Sequence, residues 1–410
     1  MSEPRLITDS TTLAGLCTAW RGLDFITVDT EFMRESTYRA RLCLVQVGAP
    51  GFEPVAVDPL ANGIDLGPLY ELLVRAPVLK VFHAARQDVE VLLPLAGGVP
   101  HPLFDTQVAA MVCGFGESVG YETLVAKLAR GRIDKTQRFT DWARRPLTER
   151  QLRYALSDVS HLRVVYEKLA ADLERTGRRA WLDEELAVIT DRATYEAPPE
   201  EAWRRLKVRS GNRRYLAILR ELAAWREREA DRRDKPRAWV LRDNALSEIA
   251  AQRPRTAKEL AKLRSVSQRT AESATGAALL DAVRHGLALP DEQCPSPPPR
   301  NDKSSAPGAL TDLLKVLLTF KSEESGVARR LIASADDLER IACGETAGVP
   351  ALQGWRRALF GDAALDLVNG RLALSVEHGT LRLLACDGPG NGADGRARAP
   401  VQPVAAAEGP

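Results

Sequence analysis

The stretch Phe25-Ile26-Thr27-Val28-Asp29-Thr30-Glu31 decides how the first part of this chain folds. Its first four residues are apolar or β-branched, which predicts a buried strand, and two acids follow them. Residues two apart on a strand project from the same face, so Asp29 and Glu31 would lie about 6 to 7 Å apart at their Cα atoms. Core packing has no use for such a pair, whereas hard divalent cations bind carboxylate oxygens. The stretch therefore predicts two ligands of a metal site.

A second acid follows another apolar run further along the chain. Residues 78–82 predict a strand, and the residues from His83 onward change to a helical pattern. Asp88 would therefore lie in the first turns of a helix that begins at a strand end. His83 itself is interpreted as a hydrogen-bonded structural histidine, and no metal role is assigned to it.

A third segment predicts a helix with two functional faces. Thr148 and Gln151 have the spacing of a capping box, which marks a helix start. Tyr154 and Asp158 are four residues apart and share one face of this helix. That face is turned away from an apolar stripe made of Leu152, Leu156, Val159 and Leu162. One side of the helix would pack against the core, and the other would line a cleft.

Each of these features has an ordinary structural explanation when it is taken alone. An Asp-x-Glu at a strand end is more often a solvated strand exit, and a Tyr-x-x-x-Asp pair is more often a solvated helix face. What favours a site is their order: an acid pair on a strand, an acid after a strand-to-helix turn, and a tyrosine with an acid on a later helix.

Six sequence words occur together in one known family. They are VDTEFMR at 28–34, TYRARLCLVQ at 37–46, HAARQD at 83–88, FDTQ at 104–107, DWARRPLT at 141–148 and YALSDV at 154–159. On these words, residues 1 to about 290 resemble ribonuclease D, a family of 3′ to 5′ exoribonucleases in the DEDD superfamily. The histidine subgroup of that superfamily has a histidine five residues before the last aspartate, where this chain has Arg153. Tyr154 therefore assigns the chain to the tyrosine subgroup.

The resemblance implies a catalytic site and a cofactor. Its catalytic residues would be four metal-binding acids and a tyrosine that orients the attacking water: Asp29, Glu31, Asp88, Asp158 and Tyr154. The cofactor would be two divalent ions, Mg²⁺ or Mn²⁺, which at about 3.5 to 4 Å apart activate water and stabilise the departing oxygen of a phosphodiester.

Other charged residues of the matching words are assigned supporting roles outside the metal-binding set. Asp105 also matches a family position and is interpreted as a structural acid or one that supports the metal-binding acids. The plausible phosphate contacts are five arginines: Arg34, Arg39, Arg41, Arg144 and Arg145.

The first domain is predicted to be a ribonuclease H-like α/β domain, a mixed sheet with flanking helices. Strands near 25–29, 42–47 and 55–58 are separated by short turns, which permits antiparallel pairing. The strand at 78–82 follows a helical segment at 69–74, as a parallel crossover requires. The paired acids would then lie at the centre of the sheet.

The later part of the chain is helical by pattern. Asn244 can begin a helix, and Thr256 with Glu259 repeats the capping-box spacing. The phrase from WRE at 225–227 through DKPR at 234–237 resembles the HRDC domain, a small all-α module shared by helicases and ribonuclease D. Ser334 to Asp337 is a further cap in a second, weaker copy, whose core stripe would be Leu313, Leu314, Leu317 and Leu318.

These patterns predict six segments along the chain. They are an exonuclease domain at 1–175, a connecting segment at 176–210, an HRDC-type domain at 211–289, a Pro/Ser-rich linker at 290–308, the second HRDC-like domain at 309–384 and a disordered tail at 385–410.

A basic run lies near the start of the first helical domain. Six basic residues occur there within eleven positions without an acid: Arg204, Arg205, Lys207, Arg209, Arg213 and Arg214. Such a run either follows phosphates or forms a solvated linker and helix start. The sequence leaves both interpretations open.

Composition restricts the remaining possibilities. Of 410 residues, 45% are hydrophobic and 27% are charged, which is typical of a soluble globular protein. The six cysteines form no Cys-x-x-Cys, so neither a zinc site nor a disulfide framework is indicated. No signal peptide or membrane-spanning run is found, which predicts a cytoplasmic location. The formal net charge is only +2, so any surface for nucleic acid must come from local clustering.

Three functions from different classes are compatible with these features. The leading one is a metal-dependent 3′ to 5′ exoribonuclease that releases nucleoside 5′-monophosphates from RNA with a free 3′ end, and the resemblance suggests transfer RNA precursors. An exonuclease acting mainly on DNA is the closest alternative, because discrimination against DNA needs contacts to the 2′ hydroxyl. A non-catalytic nucleic-acid-binding adaptor would be favoured if one of the four acids were missing, and none is. A helicase is excluded because the chain has no Gly-Lys-Ser or Gly-Lys-Thr loop, and no obligatory protein partner is evident.

Overall fold

A computed structural model describes residues 4–117, 119–137, 140–196, 198–208, 211–296 and 308–386. The described residues form two compact units, one made of 4–296 with 326–331 and the other of 308–325 with 332–386. None of their helices combines the length and the apolar character that a membrane crossing requires.

The first unit contains a six-stranded sheet. Its strands are β1 (Arg5–Ile7), β2 (Phe25–Met33), β3 (Arg41–Gly48), β4 (Val55–Val57), β5 (Leu79–Phe82) and β6 (Leu103–Asp105).

The strand order is β1-β4-β3-β2-β5-β6. β3 pairs antiparallel with both β2 and β4, and β5 pairs parallel with β2 and β6. The antiparallel pairing after short turns and the parallel crossover into β5 are therefore confirmed. β2 lies inside the sheet, so its acids are at the centre as predicted, but the strand continues to Met33 instead of ending near Asp29.

Helices of the first unit surround the sheet and continue beyond it. They are α1 (Ser10–Trp20), α2 (Gly67–Arg75), α3 (Arg86–Ala96), α4 (Thr106–Val112), α5 (Tyr121–Leu124), α6 (Glu149–Thr176), α7 (Arg179–Thr190), α8 (Arg213–Arg233), α9 (Arg237–Val240), α10 (Asp243–Gln252), α11 (Ala257–Leu260), α12 (Gln268–Ala271) and α13 (Ala274–Ala288).

The long helix α6 begins at the capping box predicted from sequence. The Thr148 side chain accepts from the Gln151 backbone, and the Gln151 side chain accepts from the Thr148 backbone. The four leucine and valine residues of the predicted stripe are all buried. Leu152 and Leu156 of this stripe pack in one core with Leu44 of β3, Ala56 of β4 and Trp142.

The helices α8 to α13 enclose a separate apolar core. Leu216, Leu219 and Ala223 of α8 are fully buried in it. Thr256 caps α11 as predicted, because its side chain accepts from the Glu259 backbone. The prediction that Asn244 begins a helix is wrong by one residue, since α10 starts at Asp243.

Residues beyond 308 form further helices and a hairpin. The helices are α14 (Gly308–Ser325), α15 (Arg329–Ile332), α16 (Ala335–Ala342), α17 (Gly354–Arg356) and α18 (Asp362–Val368), and the hairpin strands are β7 (Leu372–Glu377) and β8 (Thr380–Ala385).

Two details of this later region differ from the prediction. The region is not all helical, because β7 and β8 pair antiparallel over six residues. Leu314, Leu317 and Leu318 are buried, but Leu313 is 44% exposed, since it lies one position off the apolar stripe of α14. The Ser334 capping box on α16 is confirmed. Most of the predicted linker and almost all of the predicted tail lie outside the described residues.

Candidate active site

Three of the predicted acids converge at the centre of the sheet. Oxygen atoms of Asp29, Glu31 and Asp158 all lie within 4.8 Å of one another. Asp29 and Glu31 project from the same face of β2, and a bulge follows between Glu31 and Phe32. Bulges near active sites change the direction in which neighbouring side chains point. The local strand period therefore supplies two of the carboxylates, and α6 supplies the third.

A buried hydrogen bond fixes α6 on this face of β2. The Thr27 hydroxyl donates to the Val159 carbonyl at 2.8 Å, and Thr27 precedes Asp29 by two positions on the same face. Asp158 is thereby held against the strand. Tyr154 lies one turn earlier on α6, where its ring stacks on Trp142 with centroids 6.2 Å apart.

Asp88 lies beside this cluster but has a different hydrogen-bond partner. It is buried in the first turn of α3, and one of its oxygens accepts from the Thr30 hydroxyl at 2.6 Å. It is not one of the three acids whose oxygens lie within 4.8 Å of one another. Its charge nevertheless raises the pKa of Glu31, so it belongs to the same electrostatic site.

Asp105 holds the turn that carries Asp88. Its carboxylate accepts from the backbone N–H groups of Ala84 at 3.0 Å, Ala85 at 2.8 Å and Gln107 at 2.8 Å. Ala84 has a left-handed backbone with φ of 58°, which a non-glycine residue adopts only when its surroundings enforce it. Asp105 therefore supports the site through the backbone, in agreement with its interpretation as a structural acid.

The acids of the site share an unusual electrostatic environment. Burial, followed by the charges of Asp29, Asp158 and Asp88, raises the pKa of Glu31 to about 10. Burial and the Asp29 charge raise the pKa of Asp158 to about 8, against a lowering hydrogen bond from Tyr154. Burial alone raises the pKa of Asp29 to about 6, and a backbone hydrogen bond opposes it. The pKa of Asp88 is also raised, first by burial and then by Asp29.

Such a set fits divalent cations. Four carboxyl groups that repel one another are unfavourable by themselves, and bound positive charge would relieve the repulsion. One buried oxygen, Oδ1 of Asp158, has no hydrogen-bond partner in the described part of the chain, so it is available as a ligand. Hard cations prefer oxygen ligands of this kind.

His83 has a structural environment, as expected. Its Nδ1 lies 3.0 Å from the Thr106 hydroxyl, and its ring lies 4.9 Å from the ring of Tyr121. Burial lowers the pKa of His83 to about 4, so the ring is neutral near pH 7.

Four residues at the site were missed by sequence reasoning. Thr30 binds Asp88, Trp142 supports the Tyr154 ring, and the Tyr121 hydroxyl donates to the backbone carbonyl of Asp158. Gln46 lies directly across from Asp29 in the β2–β3 register and is fully buried. Gln46 and Trp142 lie inside the sequence words that match the family. A polar or aromatic residue within those words was the signal that could have identified them as site residues.

Three of the five arginines expected at phosphate are bound to protein groups. Arg145 donates to both oxygens of Asp58 at 2.7 and 2.6 Å and to the Cys43 carbonyl at 2.6 Å, so the expectation is wrong for it. Arg34 pairs with Glu90 at 3.1 Å, and Arg39 pairs with Asp231 at 2.8 Å. Arg41 and Arg144 are exposed, and for them phosphate contact stays a prediction.

The basic run before α8 is partly structural. Arg214 donates to the carbonyls of Gly286, Leu287 and Leu289 at the end of α13, at 3.2, 3.0 and 2.5 Å. Arg213 donates to the Cys294 carbonyl at 2.8 Å. Basic groups at a helix C-terminus satisfy its free carbonyls. The interpretation as a helix start therefore holds for both arginines, whereas Arg209 lies outside the described residues.

Two family models match this chain. A 3′-5′ exonuclease model covers residues 4–174, and an HRDC domain model covers residues 215–283. An exonuclease domain of the DEDD type implies divalent metal ions, in agreement with the acidic cluster.

Curated relatives and solved structures agree with these matches. The chain is 51% identical to the ribonuclease D of Granulibacter bethesdensis over 384 residues, which cover 93% of this chain and 97% of that protein. It is also 51% identical to the ribonuclease D of Nitrobacter hamburgensis over 375 residues, covering 91% and 97%. The crystal structure of Escherichia coli RNase D, described as an exoribonuclease involved in structured RNA processing, matches with a TM-score of 0.76 and 32% identity over 90% of this chain and 99% of that one. The chain therefore belongs to the ribonuclease D family of 3′ to 5′ exoribonucleases.

Proposed function

We propose that Asp29, Glu31, Asp88 and Asp158 bind two Mg²⁺ or Mn²⁺ ions and that Tyr154 orients the attacking water. The observation that carries this proposal is the convergence of three carboxylates with a fourth, charge-coupled one beside them. Divalent ions held there would lower the pKa of the attacking water and stabilise the charge on the departing 3′ oxygen. The products would be nucleoside 5′-monophosphates.

The residues of this chain contribute mainly by positioning. The Tyr154 hydroxyl hydrogen-bonds Asp158, and its ring is held by Trp142, so the phenol has a fixed direction. A phenol with an ordinary pKa near about 10 is a poor general base at neutral pH, so its role is to orient the water. The Thr30 hydroxyl donates to Asp88 and limits the rotation of that carboxylate.

We further propose that the helical region around residues 211–289 contacts the RNA. It has a groove of about 960 Å³ lined in part by Arg242, Arg253 and Arg264. Clustered arginines can follow a phosphate backbone.

The proposed substrate is a transfer RNA precursor with a free 3′ end. Relatives of this chain are named ribonuclease D, and the Escherichia coli protein is described as acting in structured RNA processing. The proposal includes a cytoplasmic location and no obligatory protein partner. We also propose the domain division predicted from sequence, with segment boundaries at 175, 210, 289, 308 and 384 and a second HRDC-like copy after the linker.

The decisive experiment compares end-labelled RNA and DNA of matched sequence in Mg²⁺ or Mn²⁺. Stepwise loss of nucleoside 5′-monophosphates from the 3′ end of RNA, absent in Tyr154→Phe and Asp158→Asn, is the expected result. Faster degradation of DNA would favour the DNA exonuclease. Binding of RNA without any hydrolysis by the unaltered chain would favour the non-catalytic adaptor.

A further inference from the structure

The loop that follows the catalytic strand is fastened to the helical region. Residues 34–40 connect β2 to β3, and α8 ends beside them. We call this contact the Tyr38 clasp, formed by Tyr38, Arg39, Glu227, Asp231, Asp234 and Arg237.

The centre of the clasp is a buried carboxylate with two donors. The Tyr38 hydroxyl donates to Glu227 at 2.8 Å. Arg237 donates to both oxygens of Glu227 at 2.7 and 2.8 Å, and its guanidinium lies 4.7 Å from the centroid of the Tyr38 ring. The same arginine thus binds the acid and covers the aromatic ring.

The edge of the clasp holds the loop by its backbone. Asp234 ends α8 in a left-handed conformation, and its carboxylate accepts from the N–H groups of Tyr38 at 3.0 Å and Arg39 at 3.4 Å. Arg39 donates to both oxygens of Asp231 at 2.8 and 3.2 Å. That ion pair is about half exposed on both sides, so water and salt weaken it.

Glu227 therefore carries most of the clasp. It is only 4% exposed. Burial raises its pKa, but hydrogen bonds from Arg237 and Tyr38 and the charge of Arg237 outweigh burial, and the pKa lies below its usual range. The acid is ionised and fully occupied by protein donors, so it is not free to bind a cation or to repel RNA.

The loop connects this clasp to the catalytic acids. It leaves β2 two residues after Glu31, across the bulge at Glu31 and Phe32. At its start, Arg34 pairs with Glu90, two residues beyond Asp88 on α3. The loop is thus held at one end by a helix of the catalytic site and at the other by α8.

We propose that the helical region positions Glu31 through the Tyr38 clasp, with Tyr38, Glu227 and Arg237 as positioning residues for the exonuclease reaction. The proposal rests on the proposed metal-binding role of Glu31. The proposal also assigns Arg39 a different role from the one expected from sequence: it anchors the loop and does not contact phosphate.

The test uses the full chain with Glu227→Gln and Tyr38→Phe, which keep the side-chain shapes. With a short single-stranded RNA bearing a 3′ hydroxyl, we expect kcat to fall about 5- to 100-fold and KM to stay within about twofold, because displaced catalytic groups cost rate more than binding. Hydrogen exchange of residues 31–40 should become faster in both variants. Arg21→Ala, which removes the exposed Arg21–Glu71 pair, is the matched control and should change none of these quantities.

A charge swap separates positioning from contact with RNA. Arg39→Asp alone should loosen residues 31–40, and Arg39→Asp with Asp231→Arg should restore their protection and kcat. A rise in KM at unchanged kcat would overturn the proposal, since it would make these residues RNA contacts. Faster exchange with unchanged kcat would overturn it as well. If the unaltered chain hydrolysed no RNA, the proposed function would fail, while the exchange measurements would still report on the clasp.

Discussion

Two regions of this molecule shift the pKa of a glutamate in opposite directions. At the centre of the sheet, Glu31 lies among other acids, and burial with their charges raises its pKa to about 10. On α8, hydrogen bonds from Arg232 and Arg233 outweigh burial and lower the pKa of Glu229 to about 2. Within the described residues, Glu31 has no basic side chain paired with it, whereas Glu229 has two.

The difference teaches how to recognise a functional acid. The four acids that we propose as metal ligands have no salt bridge with a basic residue in the described segments, although the chain has 57 lysines and arginines. Several acids of the helical region are instead neutralised by arginines within the chain, as Glu227 is by Arg237 and Glu229 by Arg232. An acid cluster left without cations is a place where an external cation is needed.

The largest expected effect comes from removing one acid of the site. Asp29→Asn should lower the rate of nucleotide release by more than about 100-fold, the upper range for losing even an indirect metal partner. The same change should raise the melting temperature of the metal-free protein, because it removes a like charge from a repulsive cluster. Gel-resolved hydrolysis and thermal unfolding in EDTA measure the two effects.

Asp24→Asn is the matched control, because Asp24 is an exposed acid directly before the same strand. It should leave both quantities unchanged. A metal-free Asp29→Asn protein that melts lower than the unaltered one would contradict the view of this cluster as electrostatically strained.

The second largest effect is a loss of stability in the helical region, opposite to the gain expected for the metal-free Asp29→Asn protein. Glu227→Ala leaves Arg237 and Tyr38 without their partner and should lower the free energy of unfolding by about 3 kcal/mol, as breaking a buried ion pair does. Urea unfolding followed by circular dichroism measures it. Glu71→Ala breaks an exposed ion pair and should cost less than about 1 kcal/mol. Equal losses in the two variants would remove the distinction between buried and exposed pairs.

The third effect concerns pH and metal. The folded protein holds protons on Asp29 and Asp158 more tightly than the unfolded chain, because their pKa values are raised to about 6 and about 8. Stability of the metal-free protein should therefore fall as pH rises from about 4 to 8. Mg²⁺ at about 100 times its pH 6 dissociation constant should add about 2.7 kcal/mol at pH 6. The same Mg²⁺ concentration should add more at pH 8, because ionised carboxylates bind the cation more tightly.

Melting temperatures with EDTA and with Mg²⁺ across this range check the prediction. Asp29→Asn with Asp158→Asn should flatten the pH dependence and remove most of the gain from Mg²⁺. A metal-free stability that increases steadily toward pH 8 would show that other groups dominate.

The smallest effect is expected in the groove of the helical region. Arg242→Ala with Arg264→Ala should raise the Kd for single-stranded RNA about 3- to 10-fold and reduce the slope of log K against log salt by about 1.4, the amount for two lost phosphate contacts. Arg21→Ala with Arg75→Ala removes two exposed charges elsewhere and serves as the control. Identical slopes in both double variants would exclude the groove as an RNA contact.

Much of the fold was predictable because its signals are local. The alternation on β2 set the faces of Asp29 and Glu31, and the capping box at Thr148 fixed the start of α6. The hairpin β7–β8 was missed although its signal is local: Leu372, Leu374 and Val376 alternate with smaller or polar residues, and His378-Gly379 forms a two-residue turn with positive φ. The expectation of a second helical copy, which rested on helical periodicity and family order, was preferred over it. Glu31 and Tyr154 were identified as candidates from spacing and family resemblance, and their catalytic roles stay predictions.

The sequence by itself determined which side chains share a face, because strand and helix periods are properties of adjacent residues. Only the tertiary structure decided their partners. It paired Arg39 with Asp231 across 192 positions and turned Asp88 toward Thr30 across 58. A charged group takes whichever partner the packed chain brings within reach, and that approach depends on the whole fold.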